Sequence, residues 1–329
     1  VAVSVTAIVP VWNGRDLLMK LLDTIERQTL KFDEILVIDN GSEDGGPDAA
    51  AQRGARVIGL GRNMGFAHAV NRGAQEASST KIAILNSDVE LEPDWLSKLA
   101  AADAPFATGK ILSASDPKIL DGTFDLLCRG GCPWRAGHGK RDAIPAGQID
   151  MASFTAVLFD RNTFLAAGML DERFESYLED VDFGLRCAAC GIRGAYIPEA
   201  VCRHRGSATL GRWHADSVRR MSRNQVFLIA KHYSRSLIQR FWWPILIAHL
   251  LWGVLAIRHG AGLAWVRGKF EGCRRIDSEP IPRLDAILEH QEAVIYRLQK
   301  QLGMDWYWRV YFGLTGAKRH RITQGQSDD

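Results

Sequence analysis

Between residues 5 and 86, short apolar runs rich in β-branched residues alternate with stretches of helical spacing. "VTAIVPV" precedes a helix from Arg15 to about Gln28, and "EILVIDN" a short helix after Pro47. "ARVIGL" precedes a helix near Phe66 to Glu76, and "KIAILN" follows. A strand that is apolar on both faces has no side to show to water, so it belongs inside a sheet covered above and below; intervening helices supply that cover. The pattern predicts an α/β fold with a mostly parallel central sheet flanked by helices. In such sheets ligands sit beyond the carboxyl ends of the strands. Polar clusters fall at those ends: "PVWNG", "DNGSEDGG", "RNMGF" and "NSDVE". Each alone reads equally well as a turn; four at successive strand ends mark a binding rim. No GxGxxG follows the first strand and no GxxxxGK[ST] occurs, which disfavours a dinucleotide fold and a P-loop phosphotransferase.

Residues 114 to 150, rich in Gly, Pro, Asp and Arg, read as a long irregular excursion of the kind that carries a lid or an acceptor contact. "MASFTAVLFDRNTFLAAGMLDERF" returns to strand and helix, "EDVDFGLRCAAC" reads as a helix, and "GIRGAYIPEAVCRHRG" as a last strand ending in His204. After Gly206 the chain turns helical. With 329 residues, more than one compact unit needs, the expected division is a catalytic domain over 1–206 and a helical, membrane-associating extension over 207–329. Its core, "FWWPILIAHLLWGVLAI", lies between Arg240 and Arg258. That is short for a crossing, and Pro244 and His249 weaken it further. Trp at both ends with Arg around it suits the headgroup level; a buried helix pair of a soluble domain is the alternative.

A net charge of +3 makes no case for nucleic acid. Six cysteines without framework spacing fit a reducing compartment. Cys128, Cys132, Cys187 and Cys190 could be read as zinc ligands, but buried thiols are the commoner outcome. The opening "VAVSVTAIVPVWN" reads as a first strand rather than a signal peptide.

Three places carry candidate chemistry. Asn86 and Asp88 leave a buried strand together, and Asp88 could hold a hard divalent cation such as Mg²⁺ or Mn²⁺ or simply start a turn. Asp39, at the end of the second strand, could accept the N3 proton of a uracil or thymine ring, or form a turn. In "FESYLEDVDFGLR", Asp182 and Arg186 are spaced to pair on a helix. Asp180 falls near the helix amino end, where the dipole favours an ionised carboxylate able to take a proton from a hydroxyl; capping is the alternative for Glu179 and Asp180.

In this order, "IVPVWNG", "ILVIDNGSEDGG", "RNMGFAHAVNRG", "LNSDVELEPDWL", "AGMLDERFESYLEDVDFGLR" and "RHRG" resemble family 2 glycosyltransferases with the GT-A nucleotide-diphospho-sugar transferase fold, particularly the bacterial rhamnosyltransferase-like branch. The resemblance covers about Thr6 to Gly206 and extends more faintly into the helical tail, where "RNQVFLIAKHY" also resembles that branch. It implies that Asp39 contacts the nucleotide base, with Pro10, Val11 and Asn13 lining that pocket and Asn63 and Gly65 near the nucleotide. "NSD" stands where the family often has Asp-x-Asp, so Asp88 is the implied metal acid, with Asn86 in place of the first acid. His204 matches a histidine that completes the metal site, and Asp180 the catalytic base. The implied activity is inverting transfer of a sugar, L-rhamnose from dTDP-rhamnose in the leading reading, to a lipid-linked or surface-polysaccharide acceptor. The implied place is the cytoplasmic face of the membrane. UDP-galactofuranose, UDP-glucose and UDP-GlcNAc are alternative donors, and a silent nucleotide-sugar-binding subunit is the alternative from another class.

Overall fold

The computed structural model describes residues 3–141, 143–206, 213–274 and 278–316. The first half follows the expected alternation: β1 (Val5–Val11), α1 (Arg15–Glu26), β2 (Glu34–Asp39), α2 (Gly46–Gln52), β3 (Arg56–Gly59), α3 (Phe66–Glu76) and β4 (Lys81–Leu85). Then come β5 (Val89–Leu91), α4 (Trp95–Ala100) and β6 (Phe106–Ser113). The excursion carries four short strands, β7 (Leu120–Gly122), β8 (Asp125–Leu127), β9 (Pro133–Arg135) and β10 (Gly147–Ile149). After it the chain forms β11 (Ala156–Asp160), α5 (Arg161–Ala166), α6 (Glu179–Ala189) and β12 (Gly194–His204). The helical half comprises α7 (Ala215–His232), α8 (Arg235–Arg258), α9 (Gly262–Cys273), α10 (Leu284–Leu302) and α11 (Trp306–Thr315).

The sheet runs β10-β12-β6-β11-β4-β1-β2-β3, with β5 on β12 and β7 on β6. β3, β2, β1 and β4 are parallel, and β11 enters antiparallel between β4 and β6. Side chains of β1 divide by the two-residue strand period: Val5, Ala7, Val9 and Val11 pack with Leu18, Leu21 and Trp95, whereas Ile8 packs with Val70 and Ala74. That division covers both faces with helices, as the continuous apolar runs require.

The helices after residue 213 do not stand apart. Phe227, Leu228, Tyr233 and Leu288 share a core with Phe174, Val181 and Leu185. Ile247, Leu251, Ile295 and Trp308 join Leu120, Phe124 and Trp134 of the excursion. Helix α8 breaks at Phe241 (φ −109°, ψ 15°), three residues before Pro244, where proline removes a hydrogen bond and crowds the preceding turn.

Candidate active site

The ends of the first three strands are laced together by their own amide and carboxylate side chains. Asn13 holds a left-handed φ of 57°, which places its N–H on Ser42 Oγ at 2.9 Å and its Oδ1 under the Glu43 N–H at 3.0 Å. Asp39 Oδ1 accepts the Ser42 N–H at 2.8 Å, so Asn13 and Asp39 meet through one serine. Asn40 accepts from Met64 and Asn63 from Gly65, each at 3.0 Å. Pro10 and Val11 are buried within β1, opposite Ile38 and Asp39.

Gly65 joins this rim to the far side of the site. Its φ is 90°, and a Cβ there would lie 2.8 Å from the Glu175 carbonyl oxygen, which accepts the Ala67 N–H at 3.0 Å. Glu175, Tyr177 and Leu178, immediately before α6, all take left-handed φ of 63° to 72°, a costly state for residues with side chains. Helix α7 holds them there. The Asn224 amide donates to the carbonyls of Phe174, Ser176 and Tyr177, and Arg220 and Arg223 pair with Glu175. Asp182 pairs with Arg186 at 3.0 Å as its spacing predicts, and also takes the buried Lys231 Nζ and His232 Nε2, each at 2.7 Å. The stretch "RNQVFLIAKHY" that carries Asn224, Lys231 and His232 resembles the family branch, but their partners, some fifty residues away in sequence, were not readable from it.

His204 ends β12 opposite Val89 of β5, which brings its Nε2 to 3.1 Å from Asp88 Oδ1. Its Nδ1 lies 2.7 Å from Asp121 Oδ2, a carboxylate from β7 that the sequence did not single out. Although burial opposes charge on the ring, the two acids together push its pKa up to about 9. Among the described residues, no three His, Cys, Asp or Glu side chains gather into a complete metal cage. The donor chemistry nevertheless fits a divalent ion that takes its other ligands elsewhere: carboxylate oxygen and imidazole are ordinary partners of Mn²⁺, and ligating histidines are typically oriented by a carboxylate on the other nitrogen, as Asp121 is here. Asn86 is fixed by its backbone, its N–H on the Thr155 carbonyl at 2.9 Å and its own carbonyl accepting from Val89.

Asp180 sits in the first turn of α6, whose amino end is capped by no side chain. The helix dipole favours the ionised carboxylate anticipated from the sequence, while its surroundings act in the opposite direction. Burial dominates, the charge of Asp125 adds to it, and the Arg135 guanidinium with the N–H groups of Val181 and Phe154 offsets only part, leaving Asp180 pushed up to about 7. Its neighbour Glu179 is driven well above the usual carboxylate range by burial and by Asp180. Arg135 Nη2 approaches Asp180 Oδ2 at 3.8 Å, while its Nε donates to Asp125 and its Nη1 to Thr155 Oγ1. Thr155 thus touches both Asn86 and Arg135, and the Arg135 charge acts on both Asp121, the partner of His204, and Asp180, so a chain of contacts links the Asp88–His204 pair to Asp180.

Residues 6–117 match the family described as glycosyl transferase family 2. The chain is 26% identical over 272 residues to N-acetylglucosaminyl-diphospho-decaprenol L-rhamnosyltransferase of Mycobacterium tuberculosis, covering 73% of this chain and 87% of that protein. Among solved structures it is similar to GalNAc-T7 with UDP, GalNAc and Mn²⁺ (TM-score 0.62, 14% identity, 92% of this chain and 58% of that one). It is also similar to Staphylococcus aureus TarS 1-349 in complex with UDP-GlcNAc (TM-score 0.55, 14% identity, 94% and 90%). These likenesses agree with the mostly parallel, helix-covered fold. The chain is a glycosyltransferase of the GT-A fold, its residues 6–117 match the family 2 model, and over most of its length it is similar to a rhamnosyltransferase.

Proposed function

We propose that this glycosyltransferase is inverting and metal-dependent, and that it moves L-rhamnose from dTDP-rhamnose onto a polyprenyl-diphosphate-linked glycan at the cytoplasmic face of the membrane. The observation that carries the reading is the chain of contacts just described: a carboxylate of near-neutral pKa is linked, through Arg135 and Thr155, to a carboxylate–imidazole pair suited to a cation. Asp180 takes the proton of the acceptor hydroxyl as its oxygen bonds to the anomeric carbon; the bond from that carbon to the diphosphate breaks, and its electron pair leaves on the diphosphate oxygen. Asp88 and His204 would hold a divalent ion that neutralises charge on the departing diphosphate. Asp121 fixes the ring that faces it. The strand-end rim of Asn13, Asp39, Asn63 and Gly65 lies where the nucleotide is expected, with Asp39 toward the base. The acceptor class follows the mycobacterial relative's name.

The helical half supports a membrane-surface position. On α8, Ile238, Trp242, Leu246, Leu250 and Val254 recur every four residues and are exposed, and Leu263, Val266 and Phe270 of α9 are exposed as well. The opposite face of α8 is buried against the protein through Leu237, Phe241, Ile247, Ala248 and Leu251. A helix packed along its length with one apolar face outward suits lying in the interface rather than crossing it, although α8 is long and apolar enough to cross by length and composition. Calorimetric titration with dTDP- and UDP-sugars, with and without Mn²⁺, tests the donor. Metal-dependent preference for dTDP-rhamnose is expected, and tighter binding of a UDP-sugar would replace the donor assignment.

A further inference from the structure

Hairpin β8–β9 places Asp125 directly opposite Arg135 at its open end. Its turn is clamped far from the chemistry. The Leu127 N–H donates to Gln291 Oε1, and the Arg129 N–H and Nε both donate to the Glu292 carboxylate. Gly130 lies so close to α8 that a Cβ would meet the Pro244 carbonyl oxygen at 2.6 Å. The hairpin is therefore a rigid arm from the helical half into the acceptor side of the site.

Around Asp180 the described charges are Glu179 on its own helix, Asp125 on β8 and Arg135 on β9, with Asp121 on β7 facing Arg135. Asp125 Oδ2 and Glu179 Oε2 are buried without a hydrogen-bond partner. Arg135 is accordingly the cation placed to offset several acids, and the backbone makes room for it: at Gly122 a Cβ would fall 2.2 Å from both Cγ and Cδ of the Arg135 side chain. A Cβ at 122 has to push the Arg135 stem aside.

We propose that Arg135 is a positioning residue that keeps Asp180 ionised and aimed at the acceptor, delivered by a hairpin whose turn the helical half clamps. This rests on the reading of Asp180 as the base. It assigns a role to the 114–150 excursion, which enters the site by a residue that touches the base.

The test is the pH dependence of kcat/KM from about pH 5.5 to 9.5 for the full chain, Arg135→Met, Arg135→Lys and Gly122→Ala, with donor affinity measured alongside by calorimetry. An ion pair at this distance is worth at least about one pH unit in a partly buried setting. Arg135→Met should move the acid limb up by about a unit or more, so that the rate falls about 10-fold or more near pH 6.5 and recovers toward pH 9. Arg135→Lys should restore part of the shift, and donor affinity should stay within about 3-fold. Gly122→Ala keeps the charge but pushes the stem aside, and should move the limb in the same direction even where Arg135→Met fails to fold. A loss uniform across pH, or an unmoved acid limb in both variants, overturns the proposal. Asp180→Asn separates the two claims: if it is inactive while the Arg135 profiles do not move, the base stands and this inference falls; if it stays active, both fall.

Discussion

Replacing Asp180 by Asn should make the protein more stable while it removes transfer. Burial and neighbouring acids raise the carboxyl from its ordinary 3.8 to about 7 in the fold. A group whose folded pKa lies above its unfolded value disfavours the fold once both states are ionised. The penalty is absent below about pH 4, grows as pH rises from there to about 7, and is complete above. At 1.36 kcal/mol per unit the roughly three-unit shift sets a ceiling of about 4 kcal/mol at pH 8. With about 2.1 cal/mol/K of unfolding entropy per residue over the 329 residues, that corresponds to a rise in Tm of up to about 6 °C. The amide keeps the size of the carboxyl and its oxygen can still accept the Val181 N–H, now at 2.9 Å. Thermal unfolding of both proteins at pH 8 and pH 4.5, beside a transfer assay, reads the effect. The stabilisation should shrink sharply at the lower pH. Equal Tm values at pH 8, or a gain that persists unchanged at pH 4.5, would refute the claim that a buried charge is what the fold tolerates at this position.

Asp121→Asn should weaken Mn²⁺ binding by about 10- to 100-fold in calorimetry with donor present, because the carboxylate that orients the His204 ring is gone; unchanged affinity would remove Asp121 from that role. Lys231→Met leaves Asp171 and Asp182 without their shared ammonium in a buried cluster and should cost about 3–5 kcal/mol in chemical denaturation. A near-neutral result would mean that Arg186, Arg173 and His232 suffice. The triple change Trp242→Ser, Leu250→Ser and Val254→Ser touches side chains that are already exposed. It should abolish co-sedimentation with anionic lipid vesicles and shift Tm by less than about 2 °C; undiminished vesicle binding would sink the membrane-surface reading.

Local chemistry made much of this protein legible before any coordinates. Apolar runs of strand length, separated by helical spacing, leave few arrangements other than a covered parallel sheet, and the turn-forming residues at the strand ends mark its open rim. Asp39, Asp88, Asp180 and His204 stand out for the same reason, since each sits at the end of an element whose position the pattern predicts. The sequence did not announce Asp121 or Arg135. Both lie in an excursion of Gly, Pro and charged residues without periodicity, and their meaning comes from partners that only the folded chain brings near. The same holds for Asn224 and Lys231 in α7, which restrain the left-handed backbone before α6 and the buried acid within it. Nor could helical spacing foretell that the Asp180 carboxyl would be pushed up to about 7, because a dipole is a property of one helix whereas burial is a property of everything packed around it. Sequence by itself determined the layers and the acids; the tertiary structure decided which charges face one another and how far each is removed from water.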